Sequence, residues 1–214
     1  MNNSIHKKTI QSFIGESKDL CLIGPLKTPS QYLEVYFSSN KNTPIICVDG
    51  GKNYVTGEHL SIGDGDSSNS SCHLNFDLNK DFTDLEGLLS YIDQPIKNIH
   101  AFGFIGGRLD HQLVVIQNFF AISERLKCMI KLYQNESIAI YPEGEHLVQI
   151  NGLFSLISYK PTEISLEGDC RYLAKNLQIQ PYSGIGLSNI GTGKIKIKNN
   201  HSIAIFGHES LENK

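Results

Sequence analysis

The chain has few of the features that mark secreted or membrane-spanning proteins. Its 214 residues include five cysteines, an odd number without a CxxC pair, which favours free thiols in a reducing compartment over disulfides or a zinc site. No apolar run approaches the ~20 residues that a membrane span requires. The polar N-terminus also lacks the apolar core of a secretory signal. We therefore expect a cytoplasmic protein.

Charged residues are also scarce, at 19% of the chain, and the formal net charge is -3. This balance offers no electrostatic footprint for nucleic acid or for an anionic membrane surface. Any phosphate group that the protein binds must therefore be held by a local arrangement of residues.

Several phosphate-binding and cation-binding motifs are missing as well. No GxxxxGK[ST] loop is present, and no GxGxxG follows a predicted strand. An EF-hand loop beginning at Asp64 would require Gly and Glu where Asn69 and Asn75 stand. A strand ending in DxD also occurs in phosphatases with an aspartate nucleophile, but Ser68 occupies the usual Thr or Val position. That class is kept as a minor alternative.

The first two-thirds of the chain alternates short apolar runs with amphipathic segments. Residues 30–38 have helix-like spacing, and residues 83–86 form a capping box ahead of a helical apolar pattern. Residues 109–125 have the spacing of a longer amphipathic helix, whose apolar face carries Leu113, Ile116, Phe120 and Ile122. This alternation predicts an α/β fold over residues 1–131, with a Rossmann-like, mostly parallel sheet and flanking helices. The predicted buried strands of that sheet are residues 19–24, 44–49, 59–62 and 99–105.

The pattern changes near Lys131. From Leu132 onward, short β-rich runs are separated by turn clusters. Residues 194–198 alternate polar and apolar side chains strictly, as in a strand with one face in water. We expect a second, smaller domain over residues 132–214, built as an antiparallel β-sandwich.

Acidic residues are concentrated in the turns after the predicted parallel strands, where open α/β sheets bind their ligands. Asp49, Asp64 and Asp66 lie in two of these turns, and Asp84 lies at the start of a predicted helix. Carboxylates that lie close together repel one another unless a cation neutralises them. Because this set includes no cysteine or paired histidine, it suits a hard cation, and we predict a Mg²⁺ site at Asp64, Asp66 and Asp84.

The densest motif follows the fourth predicted strand and reads Gly103-Phe-Ile-Gly-Gly-Arg-Leu-Asp-His111. Its glycines allow backbone N–H groups to face an anion at the start of a helix. Arg108 can bind a phosphate through two parallel hydrogen bonds. The motif therefore predicts a phosphate-binding turn.

Five short motifs resemble those of the thiamine pyrophosphokinase family. They occur in the same order as in the family and span nearly the whole chain. The sequence departs from the family pattern at three positions. Lys52 stands in place of a small residue, Gly65 in place of an aromatic residue, and Val115 where the family commonly has Asn. The similar segments are residues 48–53 (DGGAN in the family), 63–67 (GDFDS), 80–84 (KDxTD), 106–111 (GGRxDH) and 186–189 ((G/S)xSN).

The resemblance implies transfer of pyrophosphate from ATP to the hydroxyethyl group of thiamine, with Mg²⁺ as cofactor and AMP as the second product. It also implies a homodimer whose active site lies between the α/β domain of one subunit and the β domain of the other. The implied catalytic residues are Asp64, Asp66, Asp84, Arg108, Asp110 and His111; the thiamine contacts are Ser188 and Asn189; and the nucleotide contacts are Asp49, Gly50, Gly51, Asn53, Lys80, Thr83, Gly106 and Gly107.

Two other functions stay open on the sequence alone. One is a different Mg²⁺-dependent phosphoryl-transfer enzyme, either a phosphatase or a kinase of another heterocyclic alcohol. The other is a non-catalytic nucleotide-binding regulator. The products formed from ATP distinguish these functions from the first.

Overall fold

The structure of the protein is a computed structural model. It mixes α-helices and β-strands, as predicted for an α/β fold. No helix among the residues that the structure describes is long and apolar enough to cross a membrane. The described residues are 2–65, 71–133, 137–181 and 183–207.

The chain divides into two compact units. The N-terminal unit comprises Met1–Asn118 with Leu132–Gln134, and the C-terminal unit comprises Phe119–Lys131 with Asn135–Lys214. The sequence prediction placed one boundary after residue 131. It did not anticipate that the two units interleave along the chain around that position.

The N-terminal unit contains five parallel strands: β1 (Asp19–Ile23), β2 (Ile45–Val48), β3 (Leu60–Gly63), β4 (Leu74–Asn75) and β5 (Asn98–Phe102). Their order is β5-β1-β2-β3-β4, and each neighbouring pair is parallel. β1 pairs with both β2 and β5, with Cys21 opposite Ile45 on one side and His100 on the other. Most side chains of β1 to β3 are buried, which explains why these strands are near-continuous apolar runs in the sequence.

Four helices accompany the strands: α1 (Asn2–Ile14), α2 (Ser30–Ser39), α3 (Asp84–Ser90) and α4 (Leu109–Leu126). The sequence predicted the last three but no helix at the N-terminus. Helix α1 buries His6, Ile10 and Ile14, which are spaced four residues apart. Its buried face is therefore about one side chain wide, and such a narrow apolar stripe is a weak signal in a polar sequence.

Helix α4 is buried mainly in its second half. Phe119, Phe120 and Ile122 are buried, whereas Leu113, predicted to lie on the same apolar face, is exposed. The ring of Phe120 lies 4.8 Å from that of Tyr159, centroid to centroid, within the C-terminal unit. The second half of α4 thus packs with later residues, and this packing explains why the units interleave along the chain.

After β6 (Met129–Tyr133), the C-terminal unit contains β7 (Ser137–Tyr141), β8 (Gly144–Ser158), β9 (Thr162–Cys170), β10 (Ala174–Ile179), β11 (Asn189–Asn199) and β12 (Ile203–Gly207). These six strands pair antiparallel in the order β10-β9-β11-β8-β12-β7. The antiparallel pairing is as predicted. β8 is 15 residues long and pairs with both β11 and β12, so the hydrogen bonds run through one continuous series. The packing of this series as a sandwich stays a prediction.

The core of the C-terminal unit is formed by this one series of strands. Val148 and Phe154, from distant parts of β8, belong to the same buried cluster as Ile164 of β9, Ile197 of β11 and Ile203 of β12. Polar side chains alternate with these residues along β11, as predicted for residues 194–198. The alternation of polar and apolar residues therefore indicates a strand with one buried face.

Candidate active site

Three carboxylates meet beyond the carboxyl ends of β2 and β3. Asp49 directly follows β2, Asp64 directly follows β3, and Asp84 is the first residue of α3. One carboxylate oxygen from each residue lies within 4.8 Å of the other two. We name these three residues the carboxylate cluster. Two of the predicted metal ligands, Asp64 and Asp84, thus lie together with Asp49, and the third, Asp66, lies outside the described residues.

The backbone conformation at Asp49 directs its carboxylate into the cluster. Asp49 has a φ of 53°, which is uncommon for a residue with a side chain, and it begins a 3₁₀ helix, Asp49–Tyr54. Gly51 packs so closely on β1 that a Cβ atom there would lie 2.1 Å from the carbonyl oxygen of Ile23. Gly50 and Gly51 are both buried. The two glycines therefore act by letting this turn approach the sheet.

Lys80 supplies a positive charge to the carboxylate cluster. Its Nζ lies 2.5 Å from Asp64 Oδ2 and 3.1 Å from Asp84 Oδ1, and its side chain is only 8% exposed. Burial acts to lower the pKa of Lys80, but the hydrogen bonds to Asp64 and Asp84 outweigh it, so the pKa is raised. Lys80 is therefore charged at neutral pH.

The pKa of Asp84 reflects its burial first and the neighbouring charges second. Burial raises the pKa of this carboxyl, Lys80 opposes the rise, and the charges of Asp64 and Asp49 add to it, with a net increase. The raised pKa of Asp84 and the raised pKa of Lys80 are compatible, because the one ammonium of Lys80 is shared between two carboxylates. The ammonium of Lys80 thus contacts two of the three carboxylates of the cluster.

Thr83 caps helix α3 and so fixes the position of Asp84. The hydroxyl of Thr83 accepts a hydrogen bond from the backbone N–H of Glu86 (3.2 Å), and the backbone N–H of Thr83 donates to Glu86 Oε2 (2.7 Å). This capping box, predicted from the sequence, is confirmed. The hydroxyl oxygen of Thr83 thus already accepts a hydrogen bond within helix α3.

Gly106 and Gly107 lie in the turn before α4, which we name the glycine turn. Gln112, which belongs to no recognised motif, holds this turn in place. Gln112 Oε1 accepts a hydrogen bond from the backbone N–H of Gly106 (3.1 Å), and Nε2 donates to the carbonyl oxygen of Gly107 (2.8 Å). Gly106 has a φ of 107°, a conformation that favours glycine. The recognised motif ends at His111, so nothing in the sequence marked the next residue as a support for the turn.

Arg108 extends into solvent and forms a two-pronged ion pair with Asp110. Its Nη2 lies 2.5 Å from Asp110 Oδ2 and its Nε lies 3.2 Å from Oδ1, with the two side chains 73% and 63% exposed. The hydrogen bond from Arg108 lowers the pKa of Asp110. Because exposed ion pairs contribute little to stability, Arg108 can leave Asp110 for a ligand at small energetic cost.

The carboxylate cluster lies in a cleft of about 510 Å³, a size typical of small-molecule sites. We name it the acidic cleft. Its polar lining consists of predicted site residues, and its remaining walls are apolar. No sequence motif marks those apolar walls, which include Val115, one of the departures from the family pattern. The lining residues are Pro25, Val48, Asp49, Asp64, Lys80, Phe82, Thr83, Asp84, Leu85, Phe104, Asp110, His111, Val114 and Val115.

Other predicted residues do not line the acidic cleft. Asn53 is exposed on the 3₁₀ helix, and Ser188 and Asn189 belong to the C-terminal unit. The side chain of Asn189 accepts hydrogen bonds from the backbone N–H groups of Tyr172 (2.9 Å) and Ile190 (2.8 Å), and it donates to the carbonyl of Tyr172 (2.8 Å). Asn189 therefore holds a turn, and its contact with a substrate stays a prediction.

The carboxylate cluster has the composition of a site for a hard divalent cation. Carboxylate oxygens are ligands that Mg²⁺ prefers in proteins, and three of them converge here. The cluster already binds one positive charge, because the ammonium of Lys80 contacts two of these carboxylates. The residues present therefore fit a Mg²⁺ ion.

The segment of the chain that contains this site matches a known sequence family. Residues 37–132 match the family described as thiamin pyrophosphokinase, catalytic domain. The matching segment contains the carboxylate cluster, Lys80 and the glycine turn with Arg108. No curated protein matches the chain significantly by sequence.

Solved structures share the fold at low sequence identity. The thiamine pyrophosphokinase of Bacillus subtilis is 23% identical with a TM-score of 0.70, and the match covers 88% of this chain and 97% of that chain. The Candida albicans enzyme is 15% identical with a TM-score of 0.71, covering 88% of each chain. The Geobacillus thermodenitrificans protein is 20% identical with a TM-score of 0.69, covering 90% and 99%. Residues 37–132 of the chain thus match the thiamin pyrophosphokinase catalytic-domain family, and the fold is similar to that of these solved structures.

Proposed function

We propose that the protein transfers the pyrophosphoryl group of ATP to the hydroxyl of thiamine, forming thiamine diphosphate and AMP. The observation that carries this proposal is the convergence of Asp49, Asp64 and Asp84 in the acidic cleft, within the segment that matches the family's catalytic domain. Such a cluster is suited to binding a cation together with a polyphosphate.

The cation in this proposal is Mg²⁺, held by Asp64 and Asp84 together with Asp66, the third predicted ligand, and with Asp49 as a further carboxylate. Bound there, Mg²⁺ would neutralise charge on the phosphates of ATP. The protein's own contribution is to hold the carboxylates in place. It does so through the capping box at Thr83 and the close packing of the turn after β2.

ATP is proposed to bind along the acidic cleft and the glycine turn. Arg108 would exchange Asp110 for a phosphate, because its planar group makes two parallel hydrogen bonds to either partner. Gln112 would keep the backbone of the turn in position during that exchange. The proposed nucleotide contacts are Asp49, Gly50, Gly51, Asn53, Lys80, Thr83, Gly106 and Gly107.

The reaction forms a bond between the thiamine oxygen and the β-phosphorus of ATP and breaks the bond from that phosphorus to the oxygen that stays with AMP. The proton of the thiamine hydroxyl must move to an acceptor. Asp110 and His111 both line the cleft. An imidazole is a stronger base than a carboxylate, because the ordinary pKa of histidine is higher than that of aspartate. We therefore propose that Asp110 orients the hydroxyl and that His111 accepts its proton.

We further propose that thiamine contacts Ser188 and Asn189 and that the protein acts as a homodimer, as the family resemblance implies. Ser188 is exposed, with a φ of 59°, on a turn that also exposes Leu187. Nearby, Leu153 of β8 lies opposite Ile190 of β11, and both are exposed. Exposed apolar side chains in one area are typical of surfaces that bind another protein. These features support a second copy of the chain as the partner.

The product formed from ATP tests the proposed function. The protein is incubated with ATP, Mg²⁺ and thiamine, and the nucleotides are separated by chromatography. We expect AMP and thiamine diphosphate in equal amounts, with neither formed when thiamine or Mg²⁺ is omitted. The Asp64→Asn variant is the matched control for contaminating activity.

The same assay identifies the alternatives. ADP with thiamine monophosphate would indicate a kinase that transfers one phosphoryl group, and free phosphate would indicate a phosphatase. Unchanged ATP, with binding of the nucleotide still measurable, would indicate a regulator. Any of these results contradicts the proposal.

A further inference from the structure

Lys80 contacts two of the three carboxylates to which a cation in the carboxylate cluster would bind. Its Nζ contacts Asp64 Oδ2 and Asp84 Oδ1, and the oxygens of the cluster lie within 4.8 Å of one another. The side chain is 8% exposed, and those of Asp64 and Asp84 are 15% and 12% exposed. Solvent therefore screens these charges only weakly.

A divalent cation and the ammonium of Lys80 cannot share these oxygens without repulsion. Both are positive, and two of the three carboxylates of the cluster are already in contact with Lys80. Like charges held a few ångströms apart in a poorly screened site repel strongly. Either Lys80 moves away when the metal binds, or the metal binds weakly.

We propose that Lys80 is an internal counter-cation that competes with the divalent metal for Asp64 and Asp84, and that metal binding displaces its ammonium into the acidic cleft. This inference rests on the proposed function, since it takes the carboxylate cluster as the metal site. Without metal, Lys80 holds the carboxylates together against their own repulsion. With metal, its ammonium is released beside the phosphates of the nucleotide, because Lys80 lines the cleft.

Displacement has consequences that a permanent structural ion pair does not have. If Lys80 and the metal compete, removing the lysine charge must strengthen metal binding and weaken the metal-free fold. If Lys80 is only a structural partner of the carboxylates, its removal weakens the fold and leaves metal affinity the same or lower. The two effects therefore have opposite signs only if Lys80 and the metal oppose each other's binding at these carboxylates.

The test uses Mn²⁺ as the probe ion, without nucleotide, on the full chain. Lys80→Met keeps the length of the side chain and removes its charge. We expect this variant to bind Mn²⁺ about tenfold or more tightly than the wild type, measured by electron paramagnetic resonance of free Mn²⁺. Its unfolding midpoint without metal should fall, and saturating Mn²⁺ should raise the midpoint by more than in the wild type.

Three further variants control this measurement. Lys7→Met removes the partner of Asp93, an exposed ion pair of the same unit outside the cleft lining, and should leave Mn²⁺ affinity unchanged. Lys80→Arg keeps the charge and should keep the wild-type affinity. Lys80→Gln replaces Lys80→Met if the latter does not fold, with the same expected direction.

Equal or weaker Mn²⁺ binding by Lys80→Met and Lys80→Gln overturns the displacement, and so does an absence of Mn²⁺ binding in both variants. The proposed function fails separately, if the wild type does not form AMP from ATP and thiamine. Tighter Mn²⁺ binding by the lysine variants without AMP formation supports the displacement and contradicts only the reaction. AMP formation without tighter binding contradicts only the displacement.

Discussion

Each carboxylate of the cluster has a different local role, which determines how informative its substitution is. Asp49 has an unusual backbone conformation, and Asp84 begins a helix, so changes at either position also affect local structure. Asp64 follows β3 and contacts Lys80 through its side chain. Asp64 is therefore the position at which a carboxylate can be neutralised with the least effect on the fold.

The Asp64→Asn variant is expected to lose turnover by about 100-fold or more, because one charge that holds the metal and its phosphates is removed. Its stability without metal should stay close to that of the wild type, since Lys80 keeps Asp84 as a partner and repulsion within the cluster falls. Steady-state kinetics and thermal unfolding measure both effects. The exposed Asp77→Asn is the control, and near-wild-type activity of Asp64→Asn would remove the metal assignment.

Arg108 is expected to act through the shape of its guanidinium group as well as through its charge. The Arg108→Lys variant keeps the charge but loses the two-pronged donor, so the rate should fall about 10-fold or more if this residue binds a phosphate. Stability should change little because the pair with Asp110 is exposed. Kinetics on Arg108→Lys and Arg108→Ala measure the effect, and an unaffected Arg108→Ala variant would show that the arginine is only a surface residue.

At the scale of elements, Glu124 joins the end of α4 to the start of β12. Its Oε2 accepts a hydrogen bond from the backbone N–H of Ser202 (3.0 Å), and its Oε1 lies 2.9 Å from His201 Nδ1. Burial acts to raise the pKa of Glu124, but the hydrogen bonds from Ser202 and His201 outweigh it and lower the pKa to about 2. The ionised carboxylate thus stabilises the native state.

This depressed pKa predicts a pH-dependent contribution to stability. The folded pKa of about 2 lies below the ordinary value of 4.5, so the contribution is complete above pH 4.5 and is lost as the pH falls toward 2. The Glu124→Gln variant should therefore be less stable than the wild type at pH 6, and the difference should shrink as the pH falls toward 2. Urea unfolding at several pH values measures it, with the exposed Glu34→Gln as control, and a pH-independent difference would contradict the assignment.

Much of the N-terminal unit was predictable because buried parallel strands are continuous apolar runs. The predicted strand at 19–24 corresponds to β1, and the capping box at 83–86 correctly predicted the start of α3. The long strand β8 was not predictable in the same way. Asn151-Gly152 is a turn signal in sequence, and Gly152 has a φ of 116°, yet it pairs with Gly191 in the middle of the β8–β11 ladder. Tertiary pairing overrides the local preference there.

The candidate site was predictable only as far as strand ends and motifs specify it. Asp64 and Asp84 were expected to lie together because the ends of parallel strands share one edge of the sheet. The entry of Asp49 into the cluster depends on a positive φ, and the contacts of Lys80 depend on tertiary packing. The support of the glycine turn by Gln112 likewise depends on side-chain geometry. The place of Asp49 after a strand has a sequence signal, whereas its backbone conformation, the contacts of Lys80 and the role of Gln112 have none.

At the scale of the whole molecule, the proposed dimer predicts a dependence on the exposed apolar pair Leu153 and Ile190. The double variant Leu153→Lys with Ile190→Lys should weaken self-association, because two charges would be buried without partners in the interface. Sedimentation velocity over a range of concentrations measures the change. Leu78→Lys, at an exposed leucine of the N-terminal unit, is the control. A monomeric wild type with full activity would contradict the proposal.

The fate of the β-phosphorus of ATP tests the central claim most directly. The protein is supplied with Mg²⁺, thiamine and ATP that carries an isotopic label at the β-phosphorus, and the label is followed into the separated products. Transfer of an intact pyrophosphoryl group predicts that the label moves into thiamine diphosphate and that the AMP formed is unlabelled. Label that stays in ADP, or that appears as free phosphate or pyrophosphate while thiamine is unchanged, would contradict the account.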